Sequence, residues 1–225
     1  VQAGPKRRER PLQTVARPRL PSADNGVVDA SAFLNIPYDA EFVDLYLAYI
    51  AGLAAYGVRP TASLEIPGGE RRLDRIFSLI RTCRYSFHDL SRVQLDEHHP
   101  PTPRFNMPFE LGLTVAWDKL NPGTHNWFVM ESKSRRVLKS LSDLAGTDVH
   151  IHDGTVKGVL RELANSLVRA GGQPSVPEMQ AIYRDLQQQL PAIQHRAGGG
   201  SAYSARTFYE LRILARALAR EQTST

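Results

Sequence analysis

Two carboxylates are the strongest chemical features of this 225-residue chain. Glu110 lies in Arg104-Phe-Asn-Met-Pro-Phe-Glu-Leu-Gly-Leu113, in the first turn of an expected helix, between apolar residues that could limit its hydration. Asp89 closes Tyr85-Ser-Phe-His-Asp89, a run that suits a buried strand. Two carboxylates sharing one mouth push their pKa values apart, as acid and base work requires. Each also has a plain structural role open to it. Glu110 could be a helix-start carboxylate favoured by the macrodipole or a capping-box partner, and Asp89 an Asx turn or cap after its strand.

The elements that would position these groups alternate along the chain. Expected strands are Ala32–Ile36, Thr61–Ile66, Tyr85–Leu90, Trp127–Glu131 and Asp148–His152. Expected helices are Asp39–Gly57, with Asp39 as N-cap, then Leu73–Cys83, Pro108–Leu120, Ser134–Ala145 and Thr155–Ala170. A His- and Pro-rich loop is expected at Gln94–Arg104. Five strands alternating with five helices predict an α/β fold, a parallel sheet covered on both faces. After Gly171-Gly172, helices at Pro177–Leu190 and Ser204–Glu221 form an expected C-terminal helical extension, residues 173–225. The domains are then a disordered basic arm at 1–29, an α/β catalytic domain at 30–172 and this extension.

In an open parallel sheet, ligands bind beyond the carboxyl ends of the strands, where the strand order reverses. With an order 2-1-3-4-5 that crevice would be lined by Asn35, Tyr38 and Asp39 after the first strand and Gly68, Gly69 and Arg71 after the second. Asp89, Ser91 and Arg92 follow the third strand, Asn106 and Glu110 open the next helix, and Glu131 ends the fourth strand. The Gly68-Gly69 turn before Glu70-Arg-Arg72 could cradle a phosphate, or be a solvated turn. His98-His99 lacks metal-ligand spacing, so no metal is expected. Lys133-Ser-Arg-Arg136 reads as a solvated helix start or an anion contact, and Cys83, ending an apolar stripe, as a core residue.

Composition narrows the classes. The chain is 42% hydrophobic and 23% charged, which excludes disorder throughout. A single cysteine excludes an intrachain disulfide and points to a reducing, cytoplasmic compartment. There is no apolar run long enough for a membrane span. The net charge of +5 belongs to the ends: residues 1–30 carry six basic and three acidic groups and residues 196–225 five and two, leaving 17 against 18 between them. A neutral middle argues against nucleic acid as the partner of the folded core. The stripe Phe208, Leu211, Leu214, Ala215 and Leu218 packs on the domain or on a second copy, so self-association is an expectation.

Residues 32 to about 190 resemble an uncharacterised bacterial group that carries runs like Phe33-Leu-Asn-Ile-Pro-Tyr-Asp39, Arg84-Tyr-Ser-Phe-His-Asp-Leu-Ser-Arg92, Pro103-Arg-Phe-Asn-Met-Pro-Phe-Glu-Leu-Gly112 and Ser142-Asp-Leu-Ala-Gly146. More distantly the arrangement is similar to the nucleoside 2-deoxyribosyltransferase and TIR superfamilies. That resemblance implies a flavodoxin-like five-stranded sheet and a glutamate in a Glu-Leu-Gly context, here Glu110-Leu111-Gly112, acting at the anomeric carbon of a sugar. Asp89 would orient the sugar. The transferases' second aspartate, upstream of the glutamate, has Asn106 or Arg104 in its region here. The expected activity is therefore N-glycosidic bond cleavage on a nucleotide, with NAD as substrate and no resident cofactor, in a setting such as bacterial defence. The other function class on this fold is a non-catalytic nucleotide-sensing or protein-interaction module.

Overall fold

The computed structural model describes residues 30–65, 70–93, 95–96, 102–168 and 172–223. Gly68, Gly69, His98, His99 and the arm at 1–29 lie outside them. The main sheet is all parallel: β1 (Ser31–Asn35), β2 (Arg59–Thr61), β3 (Tyr85–Asp89), β6 (Asn126–Glu131) and β7 (Val149–Ile151). Its order is β2-β1-β3-β6-β7, and β4 (Leu95–Asp96) pairs antiparallel with β5 (Thr102–Pro103) as a separate ribbon. The numbering differs from the expected 2-1-3-4-5 because this ribbon, in what reads as a loop, takes two places without joining the sheet.

Side chains alternate across the sheet as the strand period of two requires. Ala32 and Leu34 of β1 enter the larger core with α1 (Val43–Ala55) and α5 (Val156–Ser166), while Phe33 points to the other face and packs with Ile76, Leu79 and Ile80 of α2 (Arg72–Thr82). There α3 (Asn106–Leu120) adds Met107 and Leu111, which meet Leu90, Val129 and Val137, the last from the short α4 (Arg136–Ser140).

The helix α1 is apolar all round rather than amphipathic, with every residue from Leu45 to Ala54 buried. The reason is its position: the sheet and α5 cover one side, and α6 (Val176–Arg196) and α7 (Ala205–Thr223) the other. Leu47, Ile50 and Leu53 are each fully buried, worth about 1.5–3 kcal/mol apiece. The α7 stripe is used within the chain, since Phe208, Leu211 and Ala215 belong to this same core. The surface offered for self-association is therefore already covered by α1. α6 starts at a capping box, Ser175 with Glu178, and continues through Pro191 to Arg196, one turn and more beyond its expected end.

β2 comes earlier in the chain than the expected Thr61–Ile66. Pro60 is tolerated because β2 is an edge strand, where a missing amide hydrogen costs no ladder bond. Between β7 and α5 the chain turns so tightly that a Cβ on Gly158 would lie 1.9 Å from the His152 carbonyl oxygen. Gly158→Ala is expected to destabilise the fold by about 3 kcal/mol or more. Urea unfolding checks this: a midpoint within error of the parent would refute the tight turn.

Candidate functional site

Glu110 sits beyond the carboxyl end of β1, and four elements meet around it. α3 starts at Asn106, capped by Phe105 without a side-chain bond, so Glu110 is its fifth residue, one turn in. The macrodipole effect fades within the first turn, and no capping box is possible from there. Both structural alternatives for Glu110 are thereby set aside. The side chain is buried, 5% exposed. Burial pushes its pKa from 4.5 up to about 7, opposed by the Arg72 guanidinium at the start of α2. The cause is lost hydration rather than a second carboxylate.

Tyr38, after β1, is the second member. Its phenol has Ser63 as a hydrogen-bonding neighbour and the Leu34 carbonyl at 3.5 Å. Burial above all, with Glu110's charge adding, raises its pKa to about 12, so it stays a hydrogen-bond donor at neutral pH. Behind it Tyr203, from the segment between α6 and α7, packs at 5.3 Å and donates to the Asp39 carbonyl at 2.7 Å. The C-terminal segment thus braces the loop that carries Tyr38. Arg72 belongs to the stretch 68–72 expected after the second strand, whereas Ser63 and Tyr203 were not singled out from the sequence. Ser63 follows from the rule that loops after adjacent strands converge, and nothing local marks Tyr203.

Asp89 is enclosed in the core. It is fully buried and its oxygens are occupied: Oδ2 accepts from the Tyr49 hydroxyl at 2.8 Å and Oδ1 from the Ser91 amide at 2.9 Å. His152 Nε2 lies 3.2 Å from Oδ2, outside hydrogen-bond alignment. Because His152 Nδ1 accepts from the Gly154 amide, its proton is on Nε2, facing the carboxylate. Asp89 therefore ties β3 to α1 through Tyr49 and sits against the turn after β7. It is a hub of the core, not a free sugar ligand.

The other expected residues divide in the same way. Asn35 donates through Nδ2 to the Met107 carbonyl at 3.0 Å and to His88 Nδ1 at 2.8 Å, stapling the start of α3 to β1. That bond fixes a chain of tautomers. His88 Nε2 donates to Ser86 Oγ at 2.9 Å, Ser86 to His125 Nε2 at 2.8 Å, and His125 Nδ1 to the Cys83 carbonyl at 2.8 Å. Burial keeps His88 neutral, its pKa down at about 3.

Asp39 does not cap a helix with its side chain but binds Arg104 at 3.0 Å and Arg92 at 3.4 Å, and Arg92 also reaches Glu41. Glu131, 1% exposed, accepts from the Ser132 and Lys133 amides and from the fork of Arg136, which in turn donates to the Ser91 carbonyl at 2.6 Å. These bonds lock the mouths of β3 and β6 together through the Glu131 carboxylate and the Ser91 backbone, while the Ser91 hydroxyl is buried without a hydrogen-bond partner among the described residues, and Arg136 is turned inward rather than solvated. Asn106 and Arg71 are exposed at the starts of α3 and α2.

Phe105 and Phe109, 66% and 57% exposed, stand one helical turn apart on the exposed side of the start of α3. The site is thus one desolvated carboxylate, a phenol donor, a serine and a guanidinium. No protein-family model matches the chain, and no curated protein matches it. Among the described residues no group of side chains is arranged to hold a metal ion, and no helix is long and apolar enough to cross a membrane.

Proposed function

We propose that this chain cleaves the N-glycosidic bond of a nucleotide, NAD being the substrate that suits the site best, on a flavodoxin-like fold of the deoxyribosyltransferase and TIR kind. The observation that carries the reading is Glu110: a buried carboxylate with a pKa of about 7, at the carboxyl end of a parallel sheet. A carboxylate held there without water gains the most when positive charge develops in front of it, as on the oxocarbenium-like sugar of glycosidic cleavage.

With NAD, the bond between C1′ and the pyridinium nitrogen breaks, its electron pair goes to the ring, and nicotinamide leaves neutral without a general acid. The ionised Glu110 stabilises the cationic sugar. Water then adds to C1′ and releases a proton, giving ADP-ribose, nicotinamide and H⁺. Tyr38, protonated at working pH, and Ser63 take over the hydroxyl-holding role once expected of Asp89. Arg72, with Arg71 beside it, faces the diphosphate. Phe105 and Phe109 offer flat apolar surface to the leaving base.

Because the ionised form is active and the group's pKa is raised, activity should climb with pH through about 7. The check is the rate of nicotinamide release from NAD between about pH 5 and 9. A profile flat across this range, or falling with pH, contradicts Glu110 as the working carboxylate. One observation favours a second reading, a nucleotide-sensing module without turnover: the enclosure of Asp89 leaves one carboxylate where two were expected. Tight nucleotide binding with no base release would support it.

A further inference from the structure

The positive charge that the sequence assigns to the C-terminal end converges on one groove. Arg206, Arg212, Arg216 and Arg220 of α7 line three adjoining hollows, joined by Arg59 from β2 and Arg75 from α2. The middle hollow, of about 240 Å³, is lined by Arg59, Arg212 and Arg216 and by no acid. It shares Arg59, Tyr209 and Arg212 with one neighbour and Gly57 and Arg216 with the other. Against six arginines the groove has two glutamates, Glu65, which binds Arg212 at 2.8 Å, and Glu178. From Arg206 to Arg220 the helix spans about 20 Å.

The floor is as informative as the charge. The Arg212 guanidinium lies over the rings of Phe208 and Tyr209 at 5.1 and 5.7 Å. Tyr209 and Ile213 remain 52% and 53% exposed between the arginines. The arginines of α2, β2 and α7 are gathered on one face, Arg206 pairing Glu210 at 3.8 Å as Arg212 pairs Glu65, and arginine forks match phosphate oxygens. A flat ring set in a cationic groove is what an unpaired base stacks on; an acidic peptide would have no use for it.

We propose that this groove binds single-stranded nucleic acid, its phosphates along the arginines and a base on Tyr209. Arg59 and Arg75 come from the neutral stretch 31–195 and the other four arginines from the basic segment 196–225, so only the fold brings them to one groove. The proposal does not rest on the glycosidase reading, and its test reads binding alone.

The test is fluorescence anisotropy of a labelled oligothymidylate of about twelve nucleotides with the full chain, over about 50–200 mM salt. The expected slope of log affinity against log salt is about −2 to −3, from three or four neutralised phosphates. Combining Arg216→Glu with Arg220→Glu should weaken binding at least about tenfold, and Tyr209→Ala about tenfold, with unchanged circular dichroism. Arg7→Glu with Arg8→Glu, in the N-terminal arm, should leave most of the affinity. Salt-insensitive or absent binding, loss only with the arm variant, or equal competition by polyglutamate would overturn the proposal, the last in favour of an acidic protein partner.

Discussion

At about pH 8.5, Glu110→Gln raises the unfolding free energy by roughly 3 kcal/mol and lowers base release by at least about a thousandfold. The two effects share one cause. The folded-state pKa of Glu110 is raised from 4.5 to about 7, so the fold holds the proton more tightly than the unfolded chain does. Its contribution to stability is complete below the unfolded value and is lost as pH rises through about 7. Gln carries no charge to desolvate and escapes that loss. The gain should therefore disappear below about pH 4.5, where the parent is protonated in both states, and reach its plateau above neutrality. Urea unfolding at both pH extremes measures it. A variant that is less stable than the parent at high pH, or gains equally at low pH, contradicts a desolvated carboxylate.

Asp89→Ala should behave in the opposite sense, costing about 3–5 kcal/mol, because the Tyr49 hydroxyl and the Ser91 amide lose a common buried acceptor. Asp89→Asn keeps one acceptor oxygen and should lose less. If Asp89 is a hub of the core, the Asn variant retains most of its nucleotide affinity and its activity loss follows its stability loss. A fully stable Asn variant without activity would instead put this carboxylate back at the substrate. Denaturant midpoints measured beside base-release rates separate the two outcomes.

The contrast between these carboxylates shows how far residue types and spacing reach. Both lie after parallel strands and both are buried, and local sequence marks each as a candidate. What divides them is tertiary. Tyr49 reaches Asp89 from the middle of α1, and His152 from the end of the sheet's far edge. No local pattern at residues 85–91 records that either arrives. For Glu110 the decisive fact is that no donor bonds its carboxylate among the described residues, with burial and Arg72 setting its charge.

The fold was legible where apolar periodicity was strong and not where tertiary cover replaced it. β1, β3 and β6 stand close to their expected places because each carries strand-favouring apolar and aromatic residues between turn residues. β2 was misplaced because Arg59-Pro60-Thr61 has edge-strand chemistry, whereas the more apolar residues after it lie in a loop. α1 has few polar positions because α6 and α7 close over the side that the sheet and α5 leave open. The same closure consumes the Phe208 stripe and brings Tyr203 to the loop that carries Tyr38 and Asp39.

Mass spectrometry of the products formed from NAD and a panel of nucleosides and nucleotides, with the parent and Glu110→Gln side by side, decides whether Glu110 drives glycosidic cleavage. The parent should yield free base and the matching sugar product, the variant none above background, and both should retain nucleotide affinity. Equal base release by the two proteins, or no turnover of any compound by a parent that binds one of them tightly, would contradict that role.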